Sequence, residues 1–199
     1  ETGGYAVQIT NHPSDDFSPV MSPNGKYLAF VSRRSNAAGA IHIMEMGASA
    51  ANFGGIIEAD LIDINLRELE NRNPAWFPNS KKIVFSGRDM GMREPQLFIA
   101  TVEKDPAITK LENVSGDYPT VSPDGSKIVY ARGGSLYIFD LSTNQEQRLT
   151  DGSMGPDAHP NFSADNKSIL FIRYADDTNS DSELTPDDRP TVWTLDVSQ

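Results

Sequence analysis

Apolar residues fall in short alternating runs along this chain, such as KIVF (82–85), KIVY (127–130), SILFIRY (168–174) and TVWTLDV (191–197). A period of two marks strands with one covered face. No stretch carries the 3.6-residue period of a long amphipathic helix, so the pattern predicts an all-β chain. The runs also repeat. PVMSPNGKYLAF (19–30), PAWFPNSKKIVF (74–85), PTVSPDGSKIVY (119–130) and PNFSADNKSILF (160–171) align without a gap. Each opens on proline, turns at Asn, Asp or Gly, which tolerate the positive φ of a tight hairpin, and runs into an apolar strand ending in Phe or Tyr. A second β-branched or aromatic strand follows: AIHIMEM (40–46), QLFIATV (96–102), SLYIFDL (135–141) and TVWTLDV (191–197). Outer-strand signatures precede the prolines: VQIT (7–10), RELEN (67–71), TKLEN (109–113) and QRLT (147–150).

Four strands per unit, recurring every 41–55 residues, is the period of a β-propeller blade. The proline strand and its S-P-D-G-x-x-I-x-F hairpin resemble the TolB-like propeller repeat. The likeness spans about residues 5–197, is fullest at 119–150, and is weakest in the fourth unit, where Ala164 and Asn166 replace Pro and Gly. The expected organisation is one propeller domain over 5–199, with repeats near 19–46, 74–102, 119–141 and 160–197 and insertions at 47–66 and 175–190. The opening ETGG (1–4) resembles a remnant of secretion-vector processing and is set aside. The chain opens on an outer-type strand, YAVQIT (5–10), and ends after a third strand. Pairing of those ends would close a four-bladed ring and remove open edges; the competing expectation is four blades of the six usual for the resembled family.

Composition narrows the chemistry. Across 199 residues the net charge is −11, which opposes a nucleic-acid groove or an anionic membrane surface as partner. The absence of cysteine excludes disulfides, thiolate nucleophiles and Cys-zinc sites. No apolar run approaches the roughly 18 residues of a membrane span. Six of the acids crowd into 176–188. Within DTNSDSELTPDD, oxygen ligands fall at EF-hand positions: Asp177, Asn179, Asp181, Glu183 through its carbonyl, and Asp188, with Thr185 between and Leu184 as the apolar anchor. Calcium takes six to eight hard oxygens, so a calcium ion is the cofactor this spacing predicts. Ser182 stands where the loop wants glycine, at about 1 kcal/mol, and Asp188 is shorter than the usual glutamate. TolB-like propellers carry a similar insertion before a Trp-containing strand, as in DTNSDS…RPTVW. The alternative is a solvated acidic hairpin.

The residues before the repeat prolines, Ser18, Asn73, Tyr118 and His159, are expected at one height near the propeller mouth. Tyr118, His159, Asp117 and Asp157 are the candidate ligand-facing set, with Asp16 and Arg72 nearby. One histidine among scattered carboxylates is neither a catalytic nor a zinc constellation. Arg33, Arg88, Arg132 and Arg173 recur past each motif and read as structural ties between blades rather than an anion ring. Trp76 and Trp193 read as packing. No Ser-His-Asp set, redox motif or phosphate loop emerges, so no enzymatic activity is expected. The resemblance implies a secreted or periplasmic, calcium-stabilised module that binds a protein or cell-surface partner. A glycan- or small-ligand-binding lectin-like propeller and the propeller domain of a prolyl-oligopeptidase-type hydrolase are the alternatives.

Overall fold

The computed structural model describes residues 8–46, 61–89, 91, 93–175 and 188–198. Among them are fifteen strands, no helix, and four antiparallel sheets. Blade 1 pairs β1 (Asp16–Met21), β2 (Tyr27–Ser32), β3 (Ala40–Glu45) and β4 (Ile62–Ile64) in that order. Blade 2 pairs β5 (Glu70–Trp76), β6 (Lys82–Arg88), β7 (Gln96–Thr101) and β8 (Ile108–Ser115). Blade 3 pairs β9 (Asp117–Val121), β10 (Lys127–Arg132), β11 (Ser135–Asp140) and β12 (Gln145–Arg148). Blade 4 pairs β13 (Asp157–Phe162), β14 (Ser168–Arg173) and β15 (Thr191–Asp196). The inner strands β1, β5, β9 and β13 lie side by side in succession, so the sheets are four blades of a propeller.

The repeated hairpins form for one local reason. Gly25, Ser80, Gly125 and Asn166, at the same place in each repeat, all hold positive φ, between 57° and 76°. In blade 3, Ser122 Oγ accepts from Lys127 N–H at 2.9 Å and donates to Asp124 Oδ1 at 2.6 Å. Ser22 with Asn24 and Ser163 with Asp165 repeat that arrangement. Phe77 takes the serine's place in blade 2 and packs into the core instead. Asp124 is pulled down to about 2 by its bonds from Ser122 and Ser126.

Each pair of neighbouring blades shares an apolar layer. Ala29, Val31, Ile41 and Ile43 of blade 1 meet Ile83, Phe85, Phe98 and Ala100 of blade 2. Val84 and Leu97 meet Ile128, Tyr130 and Phe139, and Val129, Ala131 and Leu136 meet Ile169 and Phe171. Alternation therefore sends one face of each sheet forward to the next blade and the other back.

Two boundaries differ from the sequence reading. The fourth strand of blade 1 is Ile62–Ile64, from the predicted insertion, and not 67–71. Ile64 is fully buried in the first interface. Leu66 and Leu69 form a turn, and Glu70 and Asn71 already belong to the inner strand β5. Asn71 Nδ2 donates to the carbonyls of Gly39, Leu66 and Leu69, fixing that turn. The strand expected to pair with β15 lies mostly outside the described residues; Gln8, Ile9 and Thr10 are in no strand.

Candidate functional site

Proline inside the inner strand shapes the mouth. It donates no ladder hydrogen bond and restricts the residue before it. The pairing register slips around each one: between Phe17 and Val20, Arg72 and Ala75, and Ala158 and Asn161, and opposite Val129/Ala131 in blade 3. The preceding residues, Ser18, Asn73, Tyr118 and His159, all sit at φ between 51° and 53°. Positive φ costs a non-glycine residue about 1 kcal/mol or more, and this chain holds it at four equivalent bulges. These bulges lie at the start of each inner strand, the end opposite the repeated hairpins.

The bulges bring adjacent blades into contact. Asp117 Oδ2 accepts from Arg72 Nη2 at 2.5 Å, and Asp117 Oδ1 accepts from Asn73 Nδ2 at 2.7 Å and from Tyr118 N–H at 2.9 Å. Arg72 also reaches Glu70 Oε2 at 3.4 Å, and its buried Nε has no partner among the described residues. The Tyr118 and His159 rings meet across blades 3 and 4, with centroids 3.8 Å apart and planes tilted by 41°. Withdrawal from water and the Asp117 charge raise the Tyr118 pKa. Withdrawal from water lowers that of His159, against the pull of Asp117. Tyr118, His159 and Asp117 therefore do form one cluster, with Arg72 and Asn73.

Asp157 does not join them. It is 2% exposed, and both its oxygens are taken by Arg173, Nε to Oδ1 at 2.6 Å and Nη2 to Oδ2 at 2.9 Å. Asp157 and Arg173 are directly paired across β13 and β14. Asp117 sits one residue later in its repeat, and that single step turns a side chain to the other side of a strand.

Three of the four recurring arginines act within blades rather than between them. Arg33 pairs with Asp15 at 2.8 Å, Arg132 with Glu146 at 2.6 Å, and Arg173 with Asp157, each inside one blade. The tie between blades is Arg72 to Asp117. Trp76 does join blades: its Nε1–H donates to Val20 O at 3.0 Å and its ring stacks on Tyr27. Trp193 lies under the Arg173 guanidinium, 4.7 Å from its centroid.

One cluster escapes the sequence. Ser35 Oγ lies 3.2 Å from His42 Nε2 and 3.3 Å from Asp63 Oδ1, with Asp63 also 3.9 Å from that same Nε2. A catalytic triad needs serine on one ring nitrogen and the acid on the other. Here both lie at Nε2 of a buried histidine. An open cleft of about 430 Å³ is lined by Arg148, Leu149, Thr150, Asp151 and Arg173. Its guanidinium groups are engaged, Arg148 by Ser135 Oγ and Thr150 O and Arg173 by Asp157.

Of the predicted calcium ligands, Asp177, Asn179, Asp181 and Glu183 lie outside the described residues, and Asp188 is 3% exposed. Among the described residues no three His, Asp or Glu side chains gather as a metal site.

No family model matches the chain. It is similar to dipeptidyl-peptidase 5 of Porphyromonas gingivalis and of Porphyromonas endodontalis, each 35% identical over 63 residues, 26% of this chain and 9% of the relative. Among solved structures, TolB from Acinetobacter baumannii matches 94% of this chain with a TM-score of 0.68 at 22% identity, over 42% of its own length. A putative TolB from Agrobacterium tumefaciens gives 0.68 at 19% identity, over 94% of this chain and 60% of its own. An oligogalacturonate lyase in complex with manganese gives 0.61 at 15% identity, over 91% and 48%. The chain thus spans under a tenth of the curated relatives and 42–60% of these structures. At such identities the likeness is one of fold, and the fold is a TolB-like β-propeller.

Proposed function

We propose that this chain is an exported, secreted or periplasmic, non-catalytic module that binds a protein or cell-surface partner through the propeller mouth, with calcium held by Asp177, Asn179, Asp181, Glu183 and Asp188. The observation that carries the mouth reading is the Tyr118–His159 pair beside the Arg72–Asp117 bridge, set on four strained bulges. Strain persists where the surrounding structure over-determines it, and such positions cluster at ligand-contacting sites. Tyrosine and arginine are among the side chains enriched at the centres of protein interfaces. The calcium reading rests on ligand spacing.

The chain lacks cysteine, so Ser18→Cys accepts a photo-crosslinker at the mouth alone. Exposed to surface proteins of the source cell, it should capture one defined protein, and Tyr118→Ala with His159→Ala should reduce that capture at least about tenfold. Capture that ignores the double variant would overturn the mouth as the contact face. Binding on a glycan array that the double variant abolishes would favour the lectin-like reading instead. The 63-residue similarity to dipeptidyl-peptidase 5 supports a second reading, the propeller domain of a peptidase. A hydrolase domain in the same natural polypeptide, active on dipeptide substrates, would decide for it.

A further inference from the structure

Two arginines at the rim between blades 3 and 4 carry donors that the fold itself does not use. Arg148 ends β12, the outermost strand of blade 3, and Arg173 ends β14. Both line the open cleft of about 430 Å³, with Leu149, Thr150 and Asp151. That volume lies within the roughly 300–1,000 Å³ of small-molecule sites. A guanidinium has five N–H donors in a fixed plane. Arg148 spends Nε on Thr150 O at 2.8 Å, and Nη2 on Ser135 Oγ at 2.8 Å and Asp151 O at 2.5 Å. Those acceptors are all neutral, and its Nη1 has none among the described residues. Arg173 spends Nε and Nη2 on Asp157. Its Nη1 meets only Met154 Sδ, a weak acceptor, at 3.7 Å, although the side chain is just 9% exposed. Thr150 Oγ1 accepts from Leu136 N–H at 2.9 Å, which leaves its own O–H to donate.

Asp151 brings the opposite charge to the same cleft. Its Oδ1 accepts from Ser153 N–H at 2.9 Å and from Ser153 Oγ–H at 2.6 Å, which holds the carboxylate apart from its own carbonyl and the arginine there. Its charge is felt by both guanidinium groups, yet it forms no ion pair with either. Asp157 already balances Arg173, so the cleft is left with one cation, Arg148, and one anion, Asp151, neither in contact with an opposite charge. A phosphate dianion or a plain carboxylate would satisfy the arginines and meet Asp151 as a like charge, which is unfavourable. We propose that this cleft binds a small zwitterion, a free α-amino acid, whose carboxylate takes the Nη1 donors of Arg148 and Arg173 and whose ammonium group faces Asp151. Planar guanidinium donors match a carboxylate, and both arginines are already fixed by their other bonds, so little side-chain freedom is lost on binding. Leu149 in the lining favours an aliphatic side chain on the ligand. The proposal does not rest on what the mouth binds.

Titration of the isotope-labelled 199-residue chain with L-leucine, followed by backbone amide NMR, tests it. Leucine should move the Thr150 and Asp151 signals saturably. Isocaproate, which lacks the ammonium group, and isoamylammonium, which lacks the carboxylate, should each bind at least about tenfold more weakly, because each forfeits a charge-assisted hydrogen bond. Arg148→Gln and Asp151→Asn should each weaken leucine by a similar factor. Asp151→Asn keeps the oxygen that Ser153 uses, so it serves where Arg148→Gln disturbs the rim. Tyr118→Ala with His159→Ala, at the mouth, should leave leucine binding unchanged. No saturable shift at 150 and 151 up to about 100 mM leucine would overturn the proposal. Isocaproate or inorganic phosphate binding as tightly as leucine would overturn the zwitterion, and leucine binding that survives both cleft variants would overturn the place.

Discussion

The Asp157–Arg173 pair offers the clearest single test of how blade 4 is held. Their side chains are 0% and 9% exposed, and two hydrogen bonds join them. Arg173 also covers Trp193 and lies 5.2 Å from the Phe171 ring, so its guanidinium roofs the third apolar interface. The bond to Asp157 raises the Arg173 pKa, so the guanidinium keeps its charge. Arg173→Met keeps much of the side-chain volume and leaves Asp157 as a buried carboxylate with no counter-charge. Breaking a buried pair in this way costs about 3–5 kcal/mol. In a protein of this size each kcal/mol moves the melting temperature by about 2–4 °C, which gives a fall of roughly 6–20 °C. Asp157→Leu with Arg173→Met removes both charges, and such replacements are often neutral or stabilising. The double variant should therefore lie within about 2 kcal/mol of wild type, with a coupling energy of at least about 2 kcal/mol. Urea melts of the four proteins in the cycle measure it. A cost below about 1 kcal/mol for Arg173→Met would mean the carboxylate finds water or another donor, and the argument from burial would fail.

Gly155→Ala should destabilise by at least about 2 kcal/mol in a urea melt, because a Cβ there would collide with the backbone oxygen of Tyr174 and the position holds a φ of 108°. Asp124 is held at about 2 by donors that favour its charged form; a carboxylate with a depressed folded pKa stabilises above its ordinary value near 4 and loses that contribution as pH falls toward 2. Asp124→Ala should thus be less stable than wild type at pH 7, with the gap closing between about pH 4 and 2 in an acid titration followed by tryptophan fluorescence. For the acidic segment, calcium near 1 mM against a Kd on the order of 10–100 μM adds roughly 1.4–2.7 kcal/mol. The melting temperature should rise by a few degrees over EDTA, and Asp177→Ala with Asp181→Ala should abolish the rise. Superimposed wild-type curves would leave 177–188 a solvated hairpin.

The propeller is readable from sequence because its repeat is local. The Pro-Asn-Gly type of turn states its own backbone requirement, and Gly25, Ser80, Gly125 and Asn166 meet it at one φ. Even the degraded turn of blade 4 follows, since asparagine tolerates the left-handed region. The height of Ser18, Asn73, Tyr118 and His159 is legible for the same reason: a proline in the strand forces the bulge that precedes it. What the bulges present is less legible. Asp117 and Asp157 both precede a repeat proline, yet they stand two and three residues before it. In a strand that difference separates a bridge at the mouth from a buried ion pair. The arginines carry the same ambiguity. Arg33 and Arg88 are one step out of phase with Arg132 and Arg173, so recurrence in sequence is not recurrence in space. The alternation of Ile62, Ile64 and Leu66 marks β4 as strand in the sequence, yet Ser35, His42 and Asp63 meet only through the pairing of β3 with β4 and the loop before β3. Local rules therefore reach the scaffold, whereas a site made between strands depends on register, which a shift of one residue inverts.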